Sequence, residues 1–376
     1  MVYFQTFLLI ALYTMLRRKA PNSISFKGFI CLIILVSLVT VVIYLPEAQI
    51  FSKHAVTVIR GVEVKPFLRD VSPGILNHCV LVEKDYIRGK VNLRVIIITF
   101  NRPQALKRLL RSLDWAVYNG ENVIVEVWID RDKESGNFSK ETLDVARSFT
   151  FTNALCEIRI HPKHVGIKGQ WLTTWRAYDF LREILVILED DLTVSKYFYK
   201  WLKLVHQKYG QWSNVSGFTL QGNSVRHSDG ECCLNVKSTK KVFLYSTIGT
   251  SGFSPNNKNW KMFKTWLANL KKRQEGVPLV PNHVSSWWYQ TGRNDSMWEM
   301  EYLYYTWKHK EFTIYPNFEG HRGLVFNWQE DGLHYQNSIK TERDENNSLV
   351  LDWNLTFNDL PDNPAIVLNN GSMSFG

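Results

Sequence analysis

The 376-residue sequence has no low-complexity tract, and it lacks the basic stripe that a nucleic-acid partner calls for. Its formal net charge is +10, yet the cations are scattered among acids. The densest basic runs are only Arg17-Arg18-Lys19 and Lys271-Lys272-Arg273. No nucleic acid is expected as a partner; the charge suits anionic diphosphates, or simple solubility. The absence of any Cys-x-x-Cys pair argues against a structural zinc site. No small-residue cleavage site follows the longest apolar run, so that run is not read as a cleaved signal peptide.

What is present begins with that run. Gly28 to Leu45 is eighteen residues without a charge, near the minimum for spanning a hydrocarbon core of ~30 Å. Arg17, Arg18, Lys19 and Lys27 flank it on one side and Glu47 on the other, which predicts a type II membrane protein: residues 1–27 cytosolic, 28–45 a transmembrane anchor, the rest lumenal. Residues 2–16 form a second apolar run, readable as another span, an interfacial helix, or sequence upstream of a start at Met15. Six N-glycosylation sequons, at Asn137, Asn214, Asn294, Asn346, Asn354 and Asn370, fit a lumenal body. Four cysteines follow the anchor. Adjacent Cys232 and Cys233 are poorly placed to pair with each other, so one of them is expected to join Cys79 or Cys156.

The composition is globular, 45% hydrophobic and 21% charged, with 14% aromatic residues that suit either sugar-stacking clefts or a dense core. Residues 46–90 read as a stem. From 91 the chain alternates apolar β-branched runs with helical spacing: strands at 91–100, 123–129, 156–160 and 184–188, helices at 104–115 and 171–182. That order predicts an α/β fold with a mostly parallel sheet and helices on both faces. Ligands in such sheets sit beyond the carboxyl ends of the strands. There the sequence delivers Thr99, Asn101 and Arg102 from the first strand, Asp130 from the second, and Glu189-Asp190-Asp191 from the fourth.

Three consecutive carboxylates after a buried strand repel one another unless a cation is near. Mn²⁺ or Mg²⁺ would offset that repulsion and hold a diphosphate. The competing reading places these acids at a helix N-terminus, since 192–204 has helical spacing.

Val186 to Leu192, with Tyr197-Phe198-Tyr199, resembles the strand-plus-acidic-triplet element of the N-acetylglucosaminyltransferase I family, Golgi enzymes of GT-A fold. Further blocks follow in order: Ile97 to Arg102, Val127 to Asp130, Val215 to Phe218 with Gln221-Gly222-Asn223, Leu244 to Thr247 through Gly252-Phe253, and Met297 to Glu301. The likeness spans roughly 91–335. It implies a metal-dependent, UDP-sugar-using hexosyltransferase acting on a glycan or glycoprotein, with UDP-GlcNAc as donor. It implies Asp191 as metal ligand, Asp190 near the ribose, Glu189 near the donor sugar, Asp130 accepting from uracil, and Arg102 neutralising phosphate, an Arg-fork task. Lys168 joins the nucleotide side as part of Lys168-Gly169-Gln170-Trp171.

An inverting transfer needs a general base opposite the leaving group. The resemblance points to Glu299 or Glu301, with Met300 between them as a departure from the family pattern; Glu299 is favoured and Asp295 stays open. In the loop 318–337, His321, Arg322 and His334 are candidates for phosphate or metal contact. The stretch Ser285-Ser286-Trp287-Trp288-Tyr289 is read as core packing in the first place, with an acceptor platform as the alternative. Residues 91–337 thus form the expected catalytic domain and 338–376 a tail. The rivals are a carbohydrate-binding relative without activity and a sugar nucleotidyltransferase. The latter would carry a Gly-rich loop where Phe100-Asn101-Arg102-Pro103 stands.

Overall fold

The computed structural model describes residues 57–59, 62–65, 77–83, 86–88, 90–175, 183–234, 236–274, 276–293, 297–332, 345–368 and 372–374. The apolar segments 2–16 and 28–45, Asp295 and His334 lie outside them. No helix among the described residues is long and apolar enough to cross a membrane. The chain divides into two units, Met1–Leu68 and Arg69–Gly376. In the first, Thr57–Ile59 pairs antiparallel with Val62–Lys65.

The second unit is built on an eleven-stranded sheet. In chain order its first half comprises β1 (Val80–Leu81), β2 (Leu93–Thr99), α1 (Pro103–Asp114), β3 (Val123–Ile129), α2 (Lys140–Ser148), β4 (Leu155–Ile160), α3 (Gly166–Thr173) and β5 (Ile184–Glu189). A short β6 (Leu192–Val194) then leads into α4 (Phe198–Tyr209). The second half comprises β7 (Val215–Thr219), β8 (Val242–Tyr245), β9 (Phe253–Pro255), α5 (Asn257–Lys272), α6 (Val284–Trp288), α7 (Met300–His309), β10 (Phe312–Pro316), β11 (Val325–Asn327), β12 (Ile366–Val367) and β13 (Met373–Ser374).

Spatially the order is β13-β12-β8-β10-β7-β9-β5-β2-β3-β4-β1. Strands β5, β2, β3, β4 and β1 run parallel to one another, whereas β9 joins β5 and β7 antiparallel and the far half is mixed. The chain winds outward from β2 through β3 to β4, then returns to place β5 on the other side of β2. A reversal of this kind opens a crevice at the carboxyl ends of β2 and β5.

The alternation of side chains across a pleated strand explains the two-faced burial. Leu93, Val95 and Ile97 of β2 pack with Leu106, Leu109, Leu110 and Leu113 of α1 and with Trp201 and Leu202 of α4. Ile96 and Ile98 face the other way, onto Trp171 of α3, Trp260 and Phe263 of α5 and Tyr302 of α7. Pro103 starts α1 with its fixed φ and no N–H to strand.

Several expectations need correction. The third helix starts earlier than expected and runs Gly166–Thr173, with residues 176–182 of the expected 171–182 helix outside the described residues; Gly166 opens it at φ +65° and the two backbone N–H groups at its start dock on Asp130. Residues 192–194 are strand: Leu192, Thr193 and Val194 pair antiparallel with Asn327, Phe326 and Val325. That pairing overrides local helical spacing, so α4 starts only at Phe198. It also removes the helix-terminus reading of the acids. Cys79 is joined to Cys156, because β1 lies parallel to β4 and brings their Cα atoms within 4.4 Å. Cys232 then pairs with its neighbour Cys233, against the expectation of a long-range bridge. Parts of the expected stem and tail, Val80–Leu81, Ile366–Val367 and Met373–Ser374, are strands of the sheet itself.

Candidate active site at the carboxyl ends of β2 and β5

Parallel pairing sets Glu189 beside Ile98, so Thr99 and the β2–α1 loop face the acidic triplet across the crevice. The Thr99 hydroxyl donates to Asp190 Oδ2 at 2.6 Å. Arg102, at the start of α1, donates Nη2 to Asp190 Oδ1 and Nη1 to Asp191 Oδ2, the latter at 3.3 Å. Both oxygens of Asp190 are therefore occupied. Asp191 Oδ1 is buried and has no hydrogen-bond partner.

Glu189 accepts from the indole Nε1 of Trp171 at 3.2 Å, and Trp171 stacks on Trp298 with ring centroids 4.2 Å apart. Burial, then the charge of Asp191, pushes the Glu189 carboxyl up to about 8. Burial likewise lifts Asp190 to about 6 against the pull of Arg102. Asp191 is raised by burial and by Glu330, with Arg102 opposing. All three acids thus hold their charge reluctantly, the state that an added cation relieves.

The crevice is a cleft of about 810 Å³ whose walls include Thr99, Arg102, Asp130, Glu189, Asp190, Asp191 and Glu299. Glu299 sits immediately before α7, half-buried, and burial reinforced by Glu301 raises its carboxyl to about 7. Glu301 takes a different place. It is buried and ion-paired to Lys168, and neither residue is on the cleft wall. Two residues apart, about half a helical turn, the two glutamates thus take an open and a closed position. Asp130 reaches the cleft, but its oxygens accept from the backbone N–H of Val165 and Gly166 at 3.0 and 2.8 Å, and so cap α3. His321 is exposed and Arg322 bonds to the carbonyl of Glu319, both away from the cleft wall.

The loop after β11 supplies residues that sequence reasoning passed over. Asn327, Gln329, Glu330 and Asp331 line the cleft, and the Trp328 N–H donates to the carbonyl of Asp191 at 3.0 Å. Arg108 from α1 pairs with Glu330 and lies 4.4 Å from the Trp328 ring, tying this loop down. The signal for them in the sequence is the run Asn327 to Gly332, mostly polar and directly after the apolar pair Val325-Phe326. Gly222 is needed opposite, since a Cβ there would lie 2.3 Å from the carbonyl of His321.

Whether a divalent cation fits can be judged from the donor set. Among the described residues no three acids, histidines or cysteines are gathered as a ready-made metal cage. The one unpartnered buried carboxylate oxygen in the triplet is Asp191 Oδ1. A cation held by a single carboxylate, with diphosphate and water completing its shell, fits that arrangement.

No known family matches the sequence, and no curated protein matches it. Solved structures similar to it include Staphylococcus aureus TarS 1-349, at 12% identity over 60% of this chain and 60% of that one, TM-score 0.35. The same protein in complex with UDP-GlcNAc is 11% identical over 61% and 59% of the two chains, TM-score 0.35. A mannosyltransferase, PcManGT from Pyrobaculum calidifontis in complex with GDP-Man and Mn²⁺, is 14% identical over 60% and 55%, TM-score 0.35. The chain spans less than two thirds of the length of each. Likeness at this level carries no argument, and the fold stands on the sheet order above.

Proposed function

We propose that the chain is a glycosyltransferase that takes a sugar from a nucleotide diphosphate donor bound in the cleft. The observation that carries this reading is the acidic triplet at the reversal of strand order, with one buried carboxylate oxygen of Asp191 left unpartnered and Glu299 on the same cleft wall. The sequence resemblance supports UDP-GlcNAc as donor and a glycan or glycoprotein as acceptor. Bound at Asp191, Mn²⁺ or Mg²⁺ would neutralise charge building on the departing diphosphate.

The chain's own residues divide the rest of the work. Arg102 holds Asp190 and Asp191 in place and offers its remaining N–H groups to phosphate. Thr99 fixes Asp190, and Trp171 fixes Glu189 on the donor side. Glu299 is the general base: the acceptor oxygen forms its bond to the anomeric carbon, the bond to diphosphate breaks with its electron pair, and the acceptor proton passes to Glu299. A carboxyl held near 7 is matched to that task at neutral pH. The transfer inverts the anomeric centre.

The apolar segment 28–45 and its flanking charges support a membrane anchor with a lumenal, Golgi-type catalytic unit. The two disulfides suit an oxidising compartment. One observation favours a second reading, a sugar-binding protein without turnover: Arg102 already spans two of the three acids. Turnover of a UDP-sugar panel with Mn²⁺ or with chelator, in wild type and Asp191→Ala, separates the two. The proposal expects Mn²⁺-dependent hydrolysis or transfer that Asp191→Ala loses. Unaltered, metal-dependent turnover in that variant would overturn the site assignment.

A further inference from the structure

Helix α6 is a partition. Ser285 and Trp288 face the main cleft, whereas Ser286 and Trp287 face a second hollow of about 630 Å³ on the other side. That hollow is built on tied segments. The Ser286 hydroxyl donates to the carbonyl of Val280 at 2.7 Å and accepts from its N–H at 2.9 Å, while Val284 N–H donates to the His227 carbonyl at 2.7 Å. The loop before Cys232 is pressed on the partition so closely that a Cβ on Gly230 would sit 2.6 Å from the Trp288 ring.

The chemistry of the hollow is specific. Trp287 is 61% exposed, an unusual state for an indole on a short, well-anchored helix. Around it stand the exposed amides of Asn282 and Gln290 and the carboxylate of Asp229, whose oxygens are oriented by Arg226 at 2.8 Å and the Glu231 N–H at 3.0 Å. Asn282 is held at φ +55° in its turn, which fixes where its side chain starts. Among the described residues no lysine or arginine lines the hollow, and nearby Arg226 is already paired with Asp229 and Glu231. His283 is buried, its ring centroid 5.5 Å from that of His227, and burial, then His227, lowers its imidazole to about 4. A phosphorylated or sulfated ligand finds no counter-charge. An apolar ring face surrounded by amide and carboxylate groups matches the alternating C–H and hydroxyl faces of a neutral sugar.

We propose that this hollow is a subsite for a neutral oligosaccharide, with Trp287 as stacking platform and Asn282, Gln290 and Asp229 as hydroxyl partners. It rests on the glycosyltransferase reading in one respect: the ligand is then the distal part of the acceptor, crossing α6 from the cleft. A helix with its side chains is about 10 Å across, so an acceptor of a few sugar residues reaches both sides.

The test uses the full chain in detergent with N-acetylchitotriose and mannotriose as probes, read by saturation-transfer NMR and by titration. At least one trisaccharide should bind wild type and Asp191→Ala alike. Trp287→Ala should bind it about tenfold more weakly, and Gln290→Ala more weakly by a smaller factor. Trp287 is exposed, so its loss leaves the core intact; a second variant is nonetheless in hand. Equal binding by Trp287→Ala and Gln290→Ala, or binding of neither probe by wild type, would overturn the subsite. UDP binding to wild type in the presence of Mn²⁺ is measured in parallel: trisaccharide binding without UDP binding sinks the glycosyltransferase reading and leaves the subsite standing.

Discussion

Strands β2 and β5 carry an arginine and carboxylates at both ends, and the two ends are finished in different ways. At the amino end Arg94 donates to both oxygens of Glu183, at 2.8 and 3.0 Å, and to Glu126. Indole N–H groups complete the set, Trp175 to Glu183 at 3.3 Å and Trp128 to Glu126 at 2.9 Å. Arg159 approaches Glu126 and Glu157 from the neighbouring strand. That cluster is buried and closed on itself. At the carboxyl end one arginine, 26% exposed at its side chain, serves Asp190 and Asp191 together, and Asp191 keeps an oxygen with no partner. The same residue types therefore make a structural knot at one end and an open, acid-rich cleft at the other. What distinguishes them is the ratio of arginine to acid and access to solvent, not the presence of charge.

Substitutions can break this contrast. Arg94→Met should cost the most stability, about 3–5 kcal/mol in urea unfolding, because it strands Glu126 and Glu183 in the core. An effect below about 1 kcal/mol would mean that the amino-end cluster is as loosely held as a surface pair. At the other end, Glu299→Gln should lower transfer about a hundredfold and abolish the rise of activity as pH passes through about 7. Its effect on stability has the opposite sign. The raised carboxyl binds its proton more tightly folded than unfolded, so its contribution is fully present below its ordinary value and is lost as pH rises through about 7. The glutamine variant should melt a few degrees above wild type at pH 8 and lose that advantage by pH 4. A constant difference across this range would remove Glu299 from the cleft's electrostatics. Smallest is Arg102→Met: Mn²⁺ should raise its thermal midpoint more than that of wild type, because the ion replaces the lost guanidinium. An equal shift in both would mean that the ion and Arg102 do not share the triplet.

Much of the parallel half was readable from sequence because buried parallel strands are continuous apolar runs and their ends are sharply polar. Leu93–Thr99, Val123–Ile129 and Ile184–Glu189 announce themselves this way, and with them Thr99, Arg102 and Glu189-Asp190-Asp191. What was hidden depends on partners distant in the chain. Leu192–Val194 is strand only because Val325–Asn327 lies against it, and Val80–Leu81 joins the sheet only through β4. The cysteine pairing failed for the same reason, since it follows from that edge strand. The division of labour between Glu299 and Glu301 depends on Lys168, more than a hundred residues earlier, which claims one and leaves the other to the cleft.

The central claim is that Asp191 holds a divalent cation together with a nucleoside diphosphate. The most direct test is the thermal midpoint of wild type and Asp191→Ala with UDP alone, Mn²⁺ alone, and both. The account predicts a rise in wild type with both together that exceeds the sum of the two separate rises, an excess that is absent in the variant. An equal rise in Asp191→Ala under the combined condition would contradict it.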